Sequence, residues 1–153
     1  MNFRKATEND IPSIVKLMAD DMLGKTRENY QDPLPSEYLK AFKTIDSDKN
    51  QELIVVENEN LEIIGTLQLT FIQYINYRGG LRAQIESVMI REDQRGLGIG
   101  KKMFAWAIKR AKEKNAIMLQ LTSDKQRPRA IKFYEDLGFI ATHEGMKLHF
   151  DKK

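Results

Sequence analysis

The chain contains no cysteine. That excludes disulfides, thiolate metal sites and a cysteine nucleophile, and it fits a reducing compartment. No apolar run approaches the roughly 18 residues of a membrane span, so no membrane partner is expected. The first ten residues, MNFRKATEND, lack the apolar stretch of a secretory signal, and a cytoplasmic location is expected. Neither sign of charge dominates. The 25 basic residues face 22 acidic ones, for a net charge of +3, too even a balance to indicate a nucleic-acid partner. Histidine is scarce, with two residues, His143 and His149, and no His/Asp/Glu spacing suggests a metal site.

Repeats, low-complexity segments and interdomain linkers are also missing, and 153 residues predict a single domain over 1–153. A chain of this size buries roughly 68–70% of its unfolded surface, enough for a substantial core. Its 41% hydrophobic and 31% charged content is that of a folded globular chain. Basic residues gather in KRAKEK (109–114), which reads either as a solvated helix face or as a positive rim for an anion.

Apolar periodicity and turn residues predict the elements. NFRKAT reads as a short strand. ENDIPSIVKLMADDML reads as a helix capped by Asn9 or Asp10, with Ile11, Ile14, Val15, Met18 and Met22 on one face and Gly24 as its stop. A polar loop with Pro33 and Pro35 precedes a second helix, SEYLKAFKTIDS, capped by Ser36. ELIVVEN, EIIGTLQLTFIQYI and AQIESVMI are strands joined by turns. Residues 100–114 form an amphipathic helix, AIMLQLTS a strand, and RPRAIKFYEDLG a helix with Pro128 near its start and Gly138 at its end. FIATHEGMKLHF is expected to close the chain as a hairpin. A meander followed by a β-loop-α-β crossover forces at least one parallel pair into an otherwise antiparallel sheet. The fold class is therefore mixed α/β, with helices packed on a twisted sheet.

The turn DQRGLGIGKK, residues 93–102, places Gly96, Gly98 and Gly100 between a strand and a helix and flanks them with Arg95, Lys101 and Lys102. A helix start exposes backbone N–H groups without internal partners, and glycines let the backbone curl around an anion there. A Walker A loop needs Gly where Arg95 stands and a hydroxyl where Lys102 stands. The dinucleotide fingerprint needs Gly at Lys101. Neither spelling fits.

What remains is R-x-x-G-x-G within RGLGIGKKM, with RAIKFYEDLGF (129–139) as a second motif carrying Ala130, Phe133, Tyr134, Gly138 and Phe139. Together, in this order and at this separation, they resemble the pyrophosphate loop and late helix of the GCN5-related N-acetyltransferases (GNAT). The resemblance covers essentially the whole chain and is strongest over 82–139. It implies an α/β (α+β) fold with a mostly antiparallel sheet of six to seven strands and helices on both faces. It also implies acetyl-CoA as cosubstrate, with no metal.

The resemblance further implies roles for particular residues. Val88, Met89 and Ile90 would offer backbone to the pantetheine arm, which fills a gap where two strands diverge. The amides of Arg95, Gly96, Leu97, Gly98, Ile99, Gly100 and Lys101 would hold the pyrophosphate. Arg95 and Lys101 add charge, though Lys101 also reads as a solvated first-turn residue. Phe133 counts with the cofactor-binding residues while serving the core. Tyr134 matches a tyrosine near the coenzyme sulfur, where a phenol can protonate a departing thiolate; the alternative is a packed aromatic.

Glu86 is the candidate base. Strand alternation sets Glu86, Val88 and Ile90 on the face opposite Ile85, Ser87 and Met89. A carboxylate in an apolar sheet centre either works or is paired, here with Arg82 or Gln84. Arg127 stands where many members have Asn, and is expected to meet the cofactor phosphates or the substrate. Asp124 is open between a cap and a substrate contact, and His143 lies close to where the acceptor site opens.

The acceptor side would come from ADDMLGKTRENYQDPLP and FIQYINYRGGL. Asp20 and Asp21 would attract a cationic amine, and Tyr74, Tyr77 and Arg78 would supply stacking and an anion contact. The expected activity is N-acetylation of a small amine by direct attack in a ternary complex. The alternatives are a protein or peptide acetyltransferase and a non-catalytic acyl-CoA-binding module. A homodimer is compatible with the sequence.

Overall fold

The computed structural model describes residues 1–150. The elements run β1 (Asn2–Lys5), α1 (Ile11–Ala19), α2 (Ser36–Ser47), β2 (Gln51–Glu57), β3 (Ile63–Gln73), α3 (Asn76–Gly79), β4 (Leu81–Ile90), α4 (Ile99–Glu113), β5 (Ala116–Gln120) and α5 (Pro128–Asp136). One five-stranded sheet has the order β1-β2-β3-β4-β5. Its first three pairings are antiparallel and β4–β5 is parallel, as the crossover through α4 requires.

Alternation along the strands sorts side chains to two cores. Ile54, Val56, Leu67, Leu69, Phe71, Ala83 and Ile85 meet Ile99, Met103, Phe104, Ala107 and Ala111 of α4. On the opposite face Leu53 and Val55 meet Ile11, Ile14 and Val15 of α1 and Phe42 of α2.

The sheet falls short of the expected six to seven strands because FIATHEGMKLHF forms no hairpin. Phe139 packs edge-on against Phe104 and Tyr134. Beyond it Ile140, Met146, Leu148 and Phe150 are all exposed. Glu144-Gly145 also lacks the Asn-Gly or Asp-Gly chemistry that fixes a tight hairpin register.

Helix α1 stops at Ala19 rather than running to Gly24. Two carboxylates in succession, Asp20 and Asp21, oppose the negative end of the helix dipole, and Met22 is exposed. At the other end, the Asp10 carboxylate accepts from the Thr7 backbone N–H at 2.7 Å and the Thr7 hydroxyl at 2.9 Å, shaping a 3-10 turn over Glu8–Asp10 that leads into α1. Ser36 is the first residue of α2 rather than its cap; Pro35 precedes it, without a side-chain capping bond.

The basic stretch 109–114 is structural. Arg110 Nη2 and Nε hold the buried Glu52 at 2.6 and 2.9 Å, and Lys114 adds a contact at 3.8 Å. It lies in the last turns of α4, far along the helix from the glycine turn, and so forms no rim for an anion there.

Candidate active site

Two features of β4 build the site. The first is an early end to its pairing with β5. Matched partners run only from Leu81↔Ala116 to Gln84↔Gln120, while β4 continues to Ile90. From Glu86 onward the edge of β4 that faced β5 has, among the described residues, no strand beside it, and the chain after Gln120 leads to α5. Val88, Met89 and Ile90 line this opening.

The second is a bulge. The β3–β4 register passes from Gln68↔Glu86 to Thr66↔Met89, so Ser87 and Val88 together oppose Leu67. Ser87 takes a left-handed φ of 52°. One extra residue reverses the faces downstream. Val88 and Ile90 consequently pack with Ala83 and Ile85 on the α4 side, while Glu86 stays on the opposite face with Arg82 and Gln84. This corrects the simple alternation, which grouped Glu86 with Val88 and Ile90. Nor does Glu86 lie in an apolar sheet centre: it is exposed and, among the described residues, hydrogen-bonds to neither Arg82 nor Gln84.

Beyond Ile90 the chain makes a 3-10 turn at Glu92–Gln94. Arg91 fixes this turn by holding Asp93 at 2.6 Å and Glu62 at 3.4 Å, and its guanidinium brings the Asp93 carboxyl down to about 2. The glycine turn follows. Gly96 and Gly98 have φ of 79° and 76°, and a Cβ at either would meet nothing within 4 Å. Left-handed backbone with open space on its Cβ side is a cradle that side chains would fill.

Gly98 is the N-cap of α4, without a side-chain capping bond and with no acid in the first turn, so the leading N–H groups keep their hydrogen-bonding capacity. Lys101 is exposed and, among the described residues, holds no carboxylate. Leu97 is 65% exposed and Ile99 is buried in the core. Arg95 turns back, its Nε donating to the Ile90 carbonyl at 3.1 Å.

Gly100 serves a different end. A Cβ there would stand 3.3 Å from Phe133 Cζ and 3.4 Å from Ile90 Cδ1. Its absence lets α4, α5 and the end of β4 close on one another. Phe133 is thus packed onto Gly100, and edge-on against Phe104 at 5.7 Å.

Tyr134 is half-buried among Phe104, Phe133 and Phe139, with ring centres 5.4, 5.5 and 6.2 Å away. Burial pushes its phenol up from the ordinary value, and the positive charge of Arg127 partly opposes this. Its hydroxyl makes no hydrogen bond among the described residues.

Arg127 precedes α5 and ion-pairs with Asp21, a buried carboxylate that also accepts from the Leu23 backbone N–H at 3.1 Å. The pair ties the segment after α1 to the start of the helix that carries Tyr134. Arg127 therefore faces an acid of its own chain, not the glycine turn. Asp20 is exposed and holds Lys16 at 3.0 Å. Asp124 accepts from the Gln126 backbone N–H at 2.8 Å in the turn before α5, and His143 is exposed beside Thr142.

Sequence reasoning missed two things here. One is the Asp21–Arg127 pair, whose members lie 106 residues apart. The other is Arg82, which stacks on Tyr74 with 4.1 Å between Cζ and the ring centre and donates through Nη1 to Gln120 Oε1 at 3.2 Å. Among the described residues no group of three or more His, Asp or Glu side chains could hold a metal ion, and no helix is long and apolar enough to cross a membrane.

An opening between two strands, continuous with a glycine cradle at a helix start, fits a long ligand with an anionic head and an extended arm that pairs with backbone. Known proteins share this fold. The profile of the acetyltransferase (GNAT) family matches residues 16–139. A structure described as a transcriptional regulator from Bacillus halodurans C-125 is 53% identical, with a TM-score of 0.94 over 97% of this chain and 99% of that one. A predicted acetyltransferase with acetyl-CoA from Clostridium acetobutylicum is 25% identical, with a TM-score of 0.73 over 97% and 95% of the two chains. Glucosamine-6-phosphate N-acetyltransferase from Arabidopsis thaliana shares the fold at 22% identity, with a TM-score of 0.74 over 98% of each chain. No curated protein matches the sequence.

Proposed function

The chain belongs to the GNAT family of acetyltransferases, and from that premise we propose that it moves the acetyl group of acetyl-CoA onto the amine of a small molecule, by direct attack in a ternary complex. One observation carries the reading. The β4–β5 ladder ends at Gln84↔Gln120, and the edge of β4 it leaves open runs on into the cradle of Gly96 and Gly98.

In this reading the leading amides of α4 and the turn from Arg95 to Lys101 hold the pyrophosphate. Arg95 and Lys101 add positive charge, and the backbone of Val88, Met89 and Ile90 pairs with the pantetheine arm. Ile99, Gly100 and Phe133 support the cradle from the core side.

Acetyl transfer needs a neutral amine and a protonated leaving group. Glu86 takes the amine proton through water, its exposed carboxylate having no competing partner among the described residues. The amine nitrogen then bonds to the acetyl carbon as the carbon–sulfur bond breaks. Tyr134 supplies the proton that turns the departing thiolate into a thiol. The phenol is protonated at neutral pH, as an ordinary tyrosine is, and burial raises it further.

A regulatory role is the second reading, raised by the name of the 53%-identical structure. The near-even charge balance and the engagement of Arg110 and Lys114 with Glu52 favour the enzyme. The test is thiol release from acetyl-CoA across a panel of small amines and peptides, after a thermal-shift titration with CoA. Amine-dependent release supports transfer, and the members that respond distinguish small-molecule from peptide acceptors. A CoA shift without release on any member means a binding module.

A further inference from the structure

We propose that Arg82 reads an oxyanion on the acceptor, so that the amine used by this enzyme carries a carboxylate or a phosphate. The inference builds on the acetyl-transfer reading and names the substrate class for it.

Arg82 is an uncompensated cation. Its side chain is half-buried, yet its contacts are neutral: the Tyr74 ring and the Gln120 amide oxygen. That amide is itself committed through its nitrogen to Gln84. Arg82 Nε is buried and, among the described residues, has no hydrogen-bond partner. The other arginines drawn partly below the surface are all matched. Arg4 holds Asp10 and Glu57, Arg91 holds Asp93 and Glu62, Arg110 holds Glu52, and Arg127 holds Asp21. Among the described residues no carboxylate comes within ion-pair reach of Arg82. A guanidinium taken partly out of water without a counter-charge is unfavourable, and an orphaned buried N–H calls for a partner.

The surroundings are built for a polar guest. Gln51, Thr70, Gln84 and Gln120 stand at one register across β2, β3, β4 and β5, on the face opposite the α4 core. This row of amides and a hydroxyl is also the last rung before β4 and β5 part, so it floors the approach to the opening.

The β3–β4 connection adds a second, independent sign. Tyr77 and Arg78 both take left-handed backbone, with φ of 51° and 58°. This conformation is costly for residues with a Cβ, and such strain concentrates at ligand clamps and active sites. Here it sets the Tyr77 ring 6.5 Å from Tyr74, making a stack of Tyr77, Tyr74 and Arg82.

Position then assigns the ends of the acceptor. Arg82 and Glu86 share a face of β4 and lie four residues apart, about 13 Å between Cα atoms at strand spacing. The amine belongs at Glu86, beside the opening. The oxyanion belongs at Arg82, several bonds away, where the planar fork of the guanidinium suits carboxylate and phosphate alike. The anion first meets the Nη2 tip, which has no hydrogen bond, and the side chain slides along the Tyr74 ring to present its Nε edge.

The test uses the whole protein, acetyl-CoA and matched amines that differ only at the far end: ω-amino carboxylates, ω-aminoalkyl phosphates, and the corresponding neutral amides. We expect kcat/KM for an oxyanion-bearing amine to exceed that of its amide by about 10- to 100-fold. The carboxylate and phosphate arms show which oxyanion is preferred. Arg82→Gln is expected to collapse the ratio mainly through KM, with Arg82→Lys recovering part of it. Equal rates for charged and neutral members, or a preference that survives Arg82→Gln, overturn the proposal.

If no member turns over, the Arg82 Nε–H resonance, identified by its loss in Arg82→Gln, decides. A shift with the amino carboxylate or aminoalkyl phosphate but not the amide supports the site, and no shift with any of them overturns it. Failure of CoA to bind strikes the acetyl-transfer reading instead, and the resonance still reports on Arg82.

Discussion

In the proposed transfer Tyr134 and Glu86 carry the proton steps, and the rate profile tests the acid. A general acid must be protonated to act, so turnover falls as pH rises through its pKa. Burial lifts the Tyr134 phenol above 10.0, which puts that alkaline limb above the ordinary phenol range. Tyr134→Phe is expected to lower kcat by about 100-fold and remove the limb, with CoA affinity retained in a titration; unchanged turnover would exclude it as the acid. Glu86→Gln is expected to lower kcat, measured by thiol release; unchanged turnover would exclude it as the base. The place of Tyr134 on α5 was legible in the sequence because its motif is local. The setting of Glu86 was not, because a single left-handed residue, Ser87, reverses the strand pattern and no residue type announces it. The Asp21–Arg127 and Arg82–Gln120 contacts join distant segments, so only the folded sheet brings them together.

At the scale of elements, the three glycines of the turn divide their labour, and substitution separates the roles. Gly98→Ala places a Cβ on left-handed backbone, at a cost of about 1–2 kcal/mol, and projects it into the cradle. The expected result is weakened CoA binding in a calorimetric titration. Gly100→Ala instead presses on Phe133 and Ile90. Urea denaturation should show a loss of about 1–2 kcal/mol, with a smaller effect on CoA affinity than Gly98→Ala. Equal effects of the two on CoA would contradict this division. The spelling of the loop identified the motif but could not distinguish a glycine with open space beside it from one facing a phenylalanine. The meander, α4 and α5 were legible because their apolar periodicities are strong and capped by clear turns. FIATHEGMKLHF was misread because its apolar residues suggest a strand, yet beyond Phe139 they stay exposed.

For the whole molecule, both sides of the sheet depend on ion pairs whose carboxylates ionise more readily than usual. Arg4 holds Asp10 and Glu57 below the ordinary carboxylate range. Burial pushes Glu52 up, but Arg110 and Lys114 outweigh it and hold it below that range. Folded-state values below the unfolded ones mean stability that is complete above the unfolded pKa and is lost as pH falls through the folded one. Stability should therefore decline as the pH drops below about 4. Glu52→Gln is expected to cost about 2 kcal/mol at neutral pH and less at pH near 3, read from urea midpoints at both; a pH-independent cost would show that the pair's charge is not what matters.

In the proposed acetyl transfer the strand opening and the glycine cradle serve one reaction. The most direct check follows CoA thiol release and the mass of the amine together, with acetyl-CoA and the amine panel. The prediction is one thiol released per N-acetylated product, dependent on the amine and strongly reduced in Tyr134→Phe. Absence of both CoA binding and amine-dependent release across the panel would contradict it.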